Sequence, residues 1–426
     1  MKIMIIGSGG REHALAWKVS KSTLVSGIVC VPGNAGMAEV AECIPGDVAD
    51  CEGLAKIARE KGADLTIVGP EAPLSLGIVD VFRGKGLAVF GPSREAAQVE
   101  SSKTFAKELM REAGIPTADF EVFTDRDRAL DYIKEKGFPI VVKADGLAAG
   151  KGVIICNTME QAHEAIQDIM VRRVFGDAGD RVVVEECLQG EEVSFLAFTD
   201  GDTVLPMASS QDHKPIFDDD KGSNTGGMGA YSPAPLVTPD MHQRIMDRVM
   251  IPAVRGMKKK GIPYQGVLYA GIMIVDGEPQ VLEFNCRFGD PEAQPILMRM
   301  ENDLVPVIQA ALEGRLSEVA LSWSPGASVC VVAASSGYPG QYEKGKEIRG
   351  LDEVSDIDGV AVFHAGTAMN NGRVLTNGGR VLGVTALGSD LRQAVEKAYK
   401  ALDRIRFEGI YFRRDIARKG LSRLGF

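Results

Sequence analysis

No run of this 426-residue chain approaches the ~18 consecutive apolar residues of a membrane span. The apolar start at residues 3–6 is too short for a secretory leader, so the expected location is the cytoplasm. Histidine is scarce: the five present form no HExxH pair, which leaves a zinc site without support. The seven cysteines are an odd number with no CxxC pair, and several fall in apolar strands, where free cysteine acts as a small hydrophobe. Any metal must therefore be sought among carboxylates and amides. Basic residues are also in the minority, 48 Lys and Arg against 58 Asp and Glu, a net charge of −10. That balance argues against a nucleic-acid coat protein.

Glycine is what the chain has in excess, 49 residues or about 11.5 % against a usual ~7 %. The glycines sit in separate clusters between well-patterned segments, where backbone can approach backbone or ligand closely. Length suggests two to four domains. In the first ninety residues, apolar strands at 2–6, 27–31, 65–68 and 87–90 alternate with helical patterns near 12–19, 53–61 and 76–83. This alternation predicts a doubly wound parallel sheet with ligand loops at the carboxyl ends of its strands. A helix over 102–113 ends at Gly114, which puts the first boundary near residue 100. Strands at 119–123, 140–143, 153–156, 181–187 and 193–198, with helices at 127–136 and 159–171, read as an α+β unit. A glycine-rich stretch at 221–229 precedes a helix near 239–260 and a hairpin, 268–275 to 280–285, turning at Asp276-Gly277. Beyond 323–326 the chain is β-rich (329–333, 360–364, 381–386) with a helix over 391–405. The expected domains are 1–100, 101–325 with 121–188 as a mobile subdomain, and 326–426.

Four constellations are candidates for chemistry. Gly7-Ser8-Gly9-Gly10 follows a strand and opens a helix, so its N–H groups suit an anion. Glu12 occupies the sixth position of the dinucleotide fingerprint and the acid after the second strand is missing, which favours phosphate over NAD. The second, residues 141–153 with Lys143, Gly146, Gly150, Lys151 and Gly152, is one residue short of a P-loop and leads into a strand. It reads as a flexible hairpin able to close over phosphates. In the third, two strands meet at the acid-flanked linker Glu185-Glu186-Cys187-Leu188-Gln189-Gly190-Glu191-Glu192. Alternation puts Glu192 and Ser194 on one face and Val193 and Phe195 on the other. The fourth, at 281–292, places Glu283, Asn285 and Arg287 on one strand face, with Leu282 and Phe284 expected in the core. A carboxylate beside an amide supplies hard oxygen ligands, and an arginine can clamp a carboxylate or phosphate.

In this order, a lysine-stemmed glycine hairpin, a Glu–Glu linker and a Glu-x-Asn strand resemble the ATP-grasp fold. The finer text is similar to the glycinamide ribonucleotide synthetase (phosphoribosylamine–glycine ligase) family. The matching stretches are GSGGREHAL at 7–15, VGPEAPL at 68–74, FGPS at 90–93, VKADGLAAGKGV at 142–153, SQDHK at 210–214, NTGGMGAYSP at 224–233, LEFNCRFGDPE at 282–292, VFHAGT at 362–367 and TNGGRVLGVTALG at 376–388. The resemblance implies a doubly wound N-terminal domain, an ATP-grasp core of two α+β subdomains and a β-rich C-terminal domain. It implies Lys103 and Lys143 on ATP phosphates, the 146–152 loop over them, Glu185 with the Leu188 backbone at adenine, Glu192 at ribose, and Glu283 with Asn285 on Mg²⁺ or Mn²⁺. The preceding strand, Tyr269-Ala270-Gly271-Ile272-Met273, lacks the further acidic ligand of many relatives.

The same resemblance implies a ligase of purine biosynthesis that joins glycine to 5-phosphoribosylamine through glycyl phosphate. Glycine is expected between Arg287 and Asp212. The sugar phosphate is expected on Gly9 and Gly10, with Glu71 at the ribose and the Gly378-Gly379-Arg380 loop closing the other side. Lys214 and Asp290 complete the substrate residues. The expected partners are these small molecules alone, with no nucleic acid or membrane, and the chain is expected to act as a monomer. Two rivals are an NAD-dependent oxidoreductase, which Glu12 disfavours, and a nucleotide sensor that binds ATP without turnover.

Overall fold

The computed structural model describes residues 1–148 and 152–426. Its first sheet is entirely parallel, built from β1 (Lys2–Gly7), β2 (Gly27–Pro32), β3 (Glu42–Cys43), β4 (Leu65–Val68) and β5 (Val89–Phe90) in the order β3-β2-β1-β4-β5. The chain leaves β1 towards β2 on one side and returns to β4 on the other. The loops after β1 and β4 therefore face each other across the switch point, where open parallel sheets bind ligands. One predicted helix is broken. Gly77, at φ 90°, ends Glu71–Leu76 and starts Ile78–Gly84, because only glycine accepts that left-handed conformation cheaply.

The second sheet, β6 (Phe120–Phe123), β7 (Ile140–Ala144), β8 (Val153–Cys156) and β9 (Val182–Glu186), is antiparallel in the order β6-β9-β7-β8. Its alternation decides function. Ile140, Val142, Ala144, Val182 and Val184 form a core with helices Arg126–Lys136 and Met159–Ile166. Lys143 and Glu185 therefore project from the opposite face. The predicted helix 159–171 closes with a π-helical turn at Gln167–Val171.

Next come β10 (Glu191–Asp200), β11 (Val204–Pro206), β12 (Gln211–Asp212), the hairpin β13 (Pro215–Phe217) to β14 (Lys221–Asn224), β15 (Gly229–Ser232), a helical run over 239–259, and the hairpin β16 (Gln265–Val275) to β17 (Glu278–Asn285). Asp276 and Gly277 turn that hairpin with positive φ at both residues. The third sheet has the order β11-β10-β16-β17. One face, with Val193, Phe195, Leu268, Ala270, Ile272, Val281 and Phe284, packs in the core that includes the 239–259 helices. The other face is apolar at one end, where Leu196, Phe198 and Val267 meet helices Ala293–Arg299 and Leu304–Leu312. At its other end it carries Glu192, Ser194, Tyr269, Gly271, Glu283 and Asn285.

Strict alternation fails at one residue. The β16–β17 register slips between Gly271–Glu283 and Ile272–Val281, so Leu282 is the extra residue of a β-bulge. It is half-buried instead of in the core, and its carbonyl accepts a hydrogen bond from Lys143 Nζ at 3.1 Å. The last sheet joins β12 and β15 to β18 (Ala327–Ser335), β19 (Val360–His364) and β22 (Arg380–Gly388) in the order β12-β15-β18-β22-β19. The hairpin β20 (Thr367–Asn370) to β21 (Arg373–Thr376) stands apart, and β23 (Ile410–Tyr411) adds to β18. This sheet thus recruits strands from the middle of the chain, and the predicted helix 391–405 stops at Leu402.

Candidate functional site

Three lysines and the carboxylates of Asp145 and Glu185 form the first part of the site. Ser102 caps the helix Lys103–Ala113 by accepting from the Phe105 N–H at 3.1 Å. Asp145, at the entry to the glycine loop, accepts from Ser102 Oγ and the Thr104 N–H, both at 3.0 Å, and pairs with Arg181 at 2.9 Å. That ties the loop to the helix start, and Lys103 Nζ donates to the Gly146 carbonyl at 3.0 Å. One turn on, Lys107 pairs with Glu185 at 2.6 Å and donates to Thr117 Oγ1 at 2.6 Å. Lys143 pairs with the other Glu185 oxygen. Glu185 is only 3 % exposed. Burial raises its pKa, but the Lys143 and Lys107 ammonium groups outweigh burial and hold it below the ordinary carboxylate value. Burial pulls Lys107 down to about 8. Lys103 is lowered too, chiefly by burial.

The second part is acidic. Glu192 on β10 and Glu283 on β17 converge on Lys214, which contacts Glu192 directly and Glu283 at 3.6 Å. Burial raises the Glu283 pKa, but Lys214, Lys143, Lys103 and Arg287 overcome it and bring Glu283 down to about 2. Asp212 moves the opposite way. Burial, reinforced by Glu292, Glu192 and Glu283 against Lys214, raises it well above the usual range. Behind these, the buried Glu292 accepts from Tyr269 Oη at 2.6 Å and Ser194 Oγ at 3.1 Å. A side chain at Gly271 would crowd the group, since its Cβ would lie 3.3 Å from Glu283 Cγ and 3.7 Å from Glu192 Oε1. Among the described residues, no cluster of three or more His, Cys, Asp or Glu is arranged to hold a metal.

The third part lies at the switch point of the parallel sheet. Arg287 Nε meets Glu71 Oε2 at 3.3 Å and Arg287 Nη2 meets Glu100 Oε1 at 3.1 Å. Glu100 also accepts from the Cys286 N–H at 2.7 Å, which fixes the residue after Asn285. The Gly9-Gly10 helix start is filled by the chain's own acids. Glu12 Oε2 accepts from the Gly9 N–H at 2.6 Å, and Cβ atoms at Gly7, Gly9 or Gly69 would strike Glu12. Glu12, the residue that breaks the dinucleotide fingerprint, is thus a buried cap for this loop. A Gly9 Cβ would also lie 3.1 Å from Asp290 Oδ2. Asp290 in turn meets Arg380 Nη2 at 3.3 Å and accepts from Gln294 Nε2 at 3.0 Å. Arg380 donates to the carbonyls of Gly226 and Asp290 at 2.7 Å each. The Gly378 carbonyl accepts from Ser335 Oγ at 2.9 Å, and Gly379 leaves room for the Tyr338 ring.

Arg287, Glu71, Asp290, Arg380, Gly9 and Gly10 therefore gather at one place, although 7–10, 71, 290 and 380 are far apart in sequence. Lys103, Lys143 and Glu185 gather at a second place, and Glu192, Asp212, Lys214 and Glu283 at a third. Asn285 is buried on the strand of Glu283, and Leu188 is half-buried in the connector between β9 and β10. Gly150 lies outside the described residues. Gly146 and Gly152 have a packing reason as well: their Cβ atoms would meet Ala178 and Ala148 at 2.5 and 2.7 Å. The Glu185 carboxylate is turned to two lysines. Sequence reasoning missed Lys107, Glu100 and Glu292. The spacing of Lys103 and Lys107, one helical turn, was the available signal for the first.

Family models match almost the whole chain. The N domain, ATP-grasp (A) domain and C domain of phosphoribosylglycinamide synthetase match residues 1–100, 101–293 and 328–419. The chain belongs to the phosphoribosylglycinamide synthetase family. Phosphoribosylamine–glycine ligases of Vibrio parahaemolyticus and Pseudomonas aeruginosa are 54 % and 53 % identical over 99 % of this chain and 99 % of their own lengths. The crystal structure of phosphoribosylamine–glycine ligase from Thermotoga maritima is 33 % identical with a TM-score of 0.86, covering 98 % of this chain and 100 % of that one. A biotin carboxylase domain from Hydrogenobacter thermophilus, crystallised with ADP and magnesium, shares the fold at 19 % identity and TM-score 0.75, over 96 % and 91 % of the two chains. No helix among the described residues is long and apolar enough to cross a membrane.

Proposed function

We propose that this chain joins glycine to 5-phosphoribosylamine, converting ATP to ADP and phosphate. A glycine carboxylate oxygen attacks the γ-phosphorus, the bond to the β–γ bridging oxygen breaks, and ADP leaves. The amine nitrogen of phosphoribosylamine then attacks the acyl carbon of glycyl phosphate, gives up a proton and expels phosphate. Phosphoryl transfer of this kind needs positioning and charge neutralisation more than a covalent residue.

The observation that carries this reading is the pairing of a cation-rich and an acid-rich group across one cleft, linked where Lys143 meets the carbonyl beside Glu283. Lys103, Lys107 and Lys143 supply the charge for ATP phosphates, with Gly146 beside them where its carbonyl accepts from Lys103. Adenine is read by backbone between Glu185 and Leu188, and ribose by Glu192. Glu283 and Asn285 would suit a hard cation, since an ionised carboxylate lies on the same strand as an amide oxygen donor. Bound there, Mg²⁺ or Mn²⁺ would offset charge on the phosphates. Glycine lies between Arg287 and Asp212, close to Lys214. The sugar phosphate meets Arg380 and the loops at 9–10 and 378–379, with Glu71 at the ribose and Asp290 holding Arg380. Because Glu12 and Asp290 already line the helix start, Arg380 is the stronger anion partner there. ADP release with each substrate omitted in turn tests the reaction. Dependence on both glycine and the amine is required, and ADP release without either would overturn it.

A further inference from the structure

Cys30 and Cys43 lie outside the cleft, and no step of the proposed reaction uses them. They are direct partners in the parallel register of β2 and β3, so their side chains leave the same face of the sheet. Neighbouring strands lie ~4.8 Å apart, inside the ~4.4–6.8 Å Cα separation that a disulfide spans. The turn after β2 folds back over the pair. A Cβ at Gly33, where φ is +73°, would lie 3.1 Å from each cysteine's Cβ and closer still to Cys43 Sγ, so only glycine fits over the pair. Cys43 is half-buried and Cys30 fully buried. β3 is two residues long at the end of its sheet, so it can shift as the sulfurs join.

We propose that Cys43 is a hydroperoxide-reactive thiol and that Cys30 is its resolving partner, the two forming a reversible intramolecular disulfide. The Cys43 thiolate attacks one peroxide oxygen, the O–O bond breaks, and hydroxide leaves with its electron pair. The resulting sulfenic acid is attacked by the Cys30 sulfur, which expels the sulfenic oxygen as water after proton transfer. Two thiols and one hydrogen peroxide thus give one disulfide and two waters, with both sulfurs oxidised and the peroxide reduced. A thiol reacts through its thiolate, so the proton's affinity ranks the candidates. The neighbouring Cys30 thiol lowers Cys43 against the effect of burial, while Cys43 and burial raise Cys30. The two other half-buried cysteines, Cys51 and Cys187, are raised, in both cases chiefly by burial.

The pair also borders a structural joint. Cys43 Sγ meets the Asn34 carbonyl at 3.7 Å, and Asn34 Nδ2 donates to the carbonyls of Ser8 and His364 at 2.9 and 2.8 Å. The test is non-reducing peptide mapping of the folded full chain after limited hydrogen peroxide. The expected product is a Cys30–Cys43 linked peptide, lighter by two hydrogens and separated again by dithiothreitol, while Cys51 and Cys187 stay alkylatable. Cys30→Ser should leave a sulfenic acid at Cys43 that dimedone traps, and Cys43→Ser should leave Cys30 unmodified. Oxidation of Cys51 or Cys187 before Cys43, or persistence of both free thiols in folded wild-type protein, would overturn the assignment. Because the wild-type chain carries the primary readout, a variant that fails to fold does not blunt the test. The readout is also independent of turnover, so it stands or falls separately from the ligase reading.

Discussion

Two charge clusters face one cleft with opposite balances. At Glu185, two lysines outnumber one carboxylate; around Lys214, three carboxylates outnumber one ammonium. Burial works against charge in both, and the partner groups decide the outcome. In the first, the surplus is positive. In the second, the surplus is negative, and the chain relieves it by raising Asp212 while holding Glu283 ionised. Opposite surpluses a few residues apart suit a cation chelated to a polyphosphate, which brings both signs at once.

Removing the one carboxylate of the cationic cluster should have the largest effect. Glu185→Ala leaves Lys107 and Lys143 buried without a counter-ion, and stability should fall by about 3–5 kcal/mol. Denaturant unfolding measures it, and a loss below ~1 kcal/mol would mean that the cluster is hydrated rather than ion-paired. Glu283→Gln should retain the fold yet cut kcat roughly 10²-fold, as loss of one electrostatic contact to developing charge does. ADP release over a magnesium titration reads this, and normal turnover at saturating metal would move the metal site elsewhere. A smaller effect is expected from Arg287→Lys. Lysine keeps the charge but loses the fork that spans Glu71 and Glu100, so KM for glycine should rise about tenfold. An unchanged KM would remove Arg287 from the glycine site.

The smallest effect per group comes from pH and lies outside both clusters. Chiefly through burial, His13 is pushed down to about 3, and His213 and His364 to about 4. The unfolded chain takes up these protons near pH 6.5 and the folded chain does not, so stability is present above that pH and is lost as pH falls towards 4 and 3. Each histidine should cost up to about 1.4 kcal/mol over the first pH unit below 6.5. The Glu283 contribution should survive to lower pH, fading only from its unfolded value near 4.5 towards 2. Melting curves from pH 7.5 to 5 should therefore fall before Glu283 titrates. A flat profile would show that the histidines are not buried neutral.

Periodicity made much of the cleft legible. Alternation put Glu192 with Ser194 on one strand face, whereas Lys143 and Glu185 took their direction only once Val142 and Val184 had packed against the helices. It failed at Leu282, since a bulge depends on how two strands pair and leaves no mark on one of them. It also missed the short strands Gln211–Asp212 and Gly229–Ser232, which pair with each other, the second also pairing with a strand about a hundred residues downstream. Glu100 was invisible for the same reason. It sits in a four-residue helix with no pattern, and its role appears only where the chain brings Cys286 and Arg287 to it.

By itself the sequence determined the class of each layer, the glycine-lined turns, the strand faces that carry charge and, through its motifs, the family. These are local properties: a period of two, a residue without Cβ, a fixed spacing. Only the tertiary structure decided which charges neutralise one another. It set Glu12 and Asp290 into the helix start expected to bind phosphate, bound Arg287 between Glu71 and Glu100, and turned Leu282 out of the core towards Lys143. Coulomb energy depends on distance and burial, and neither exists until residues hundreds apart have been folded together.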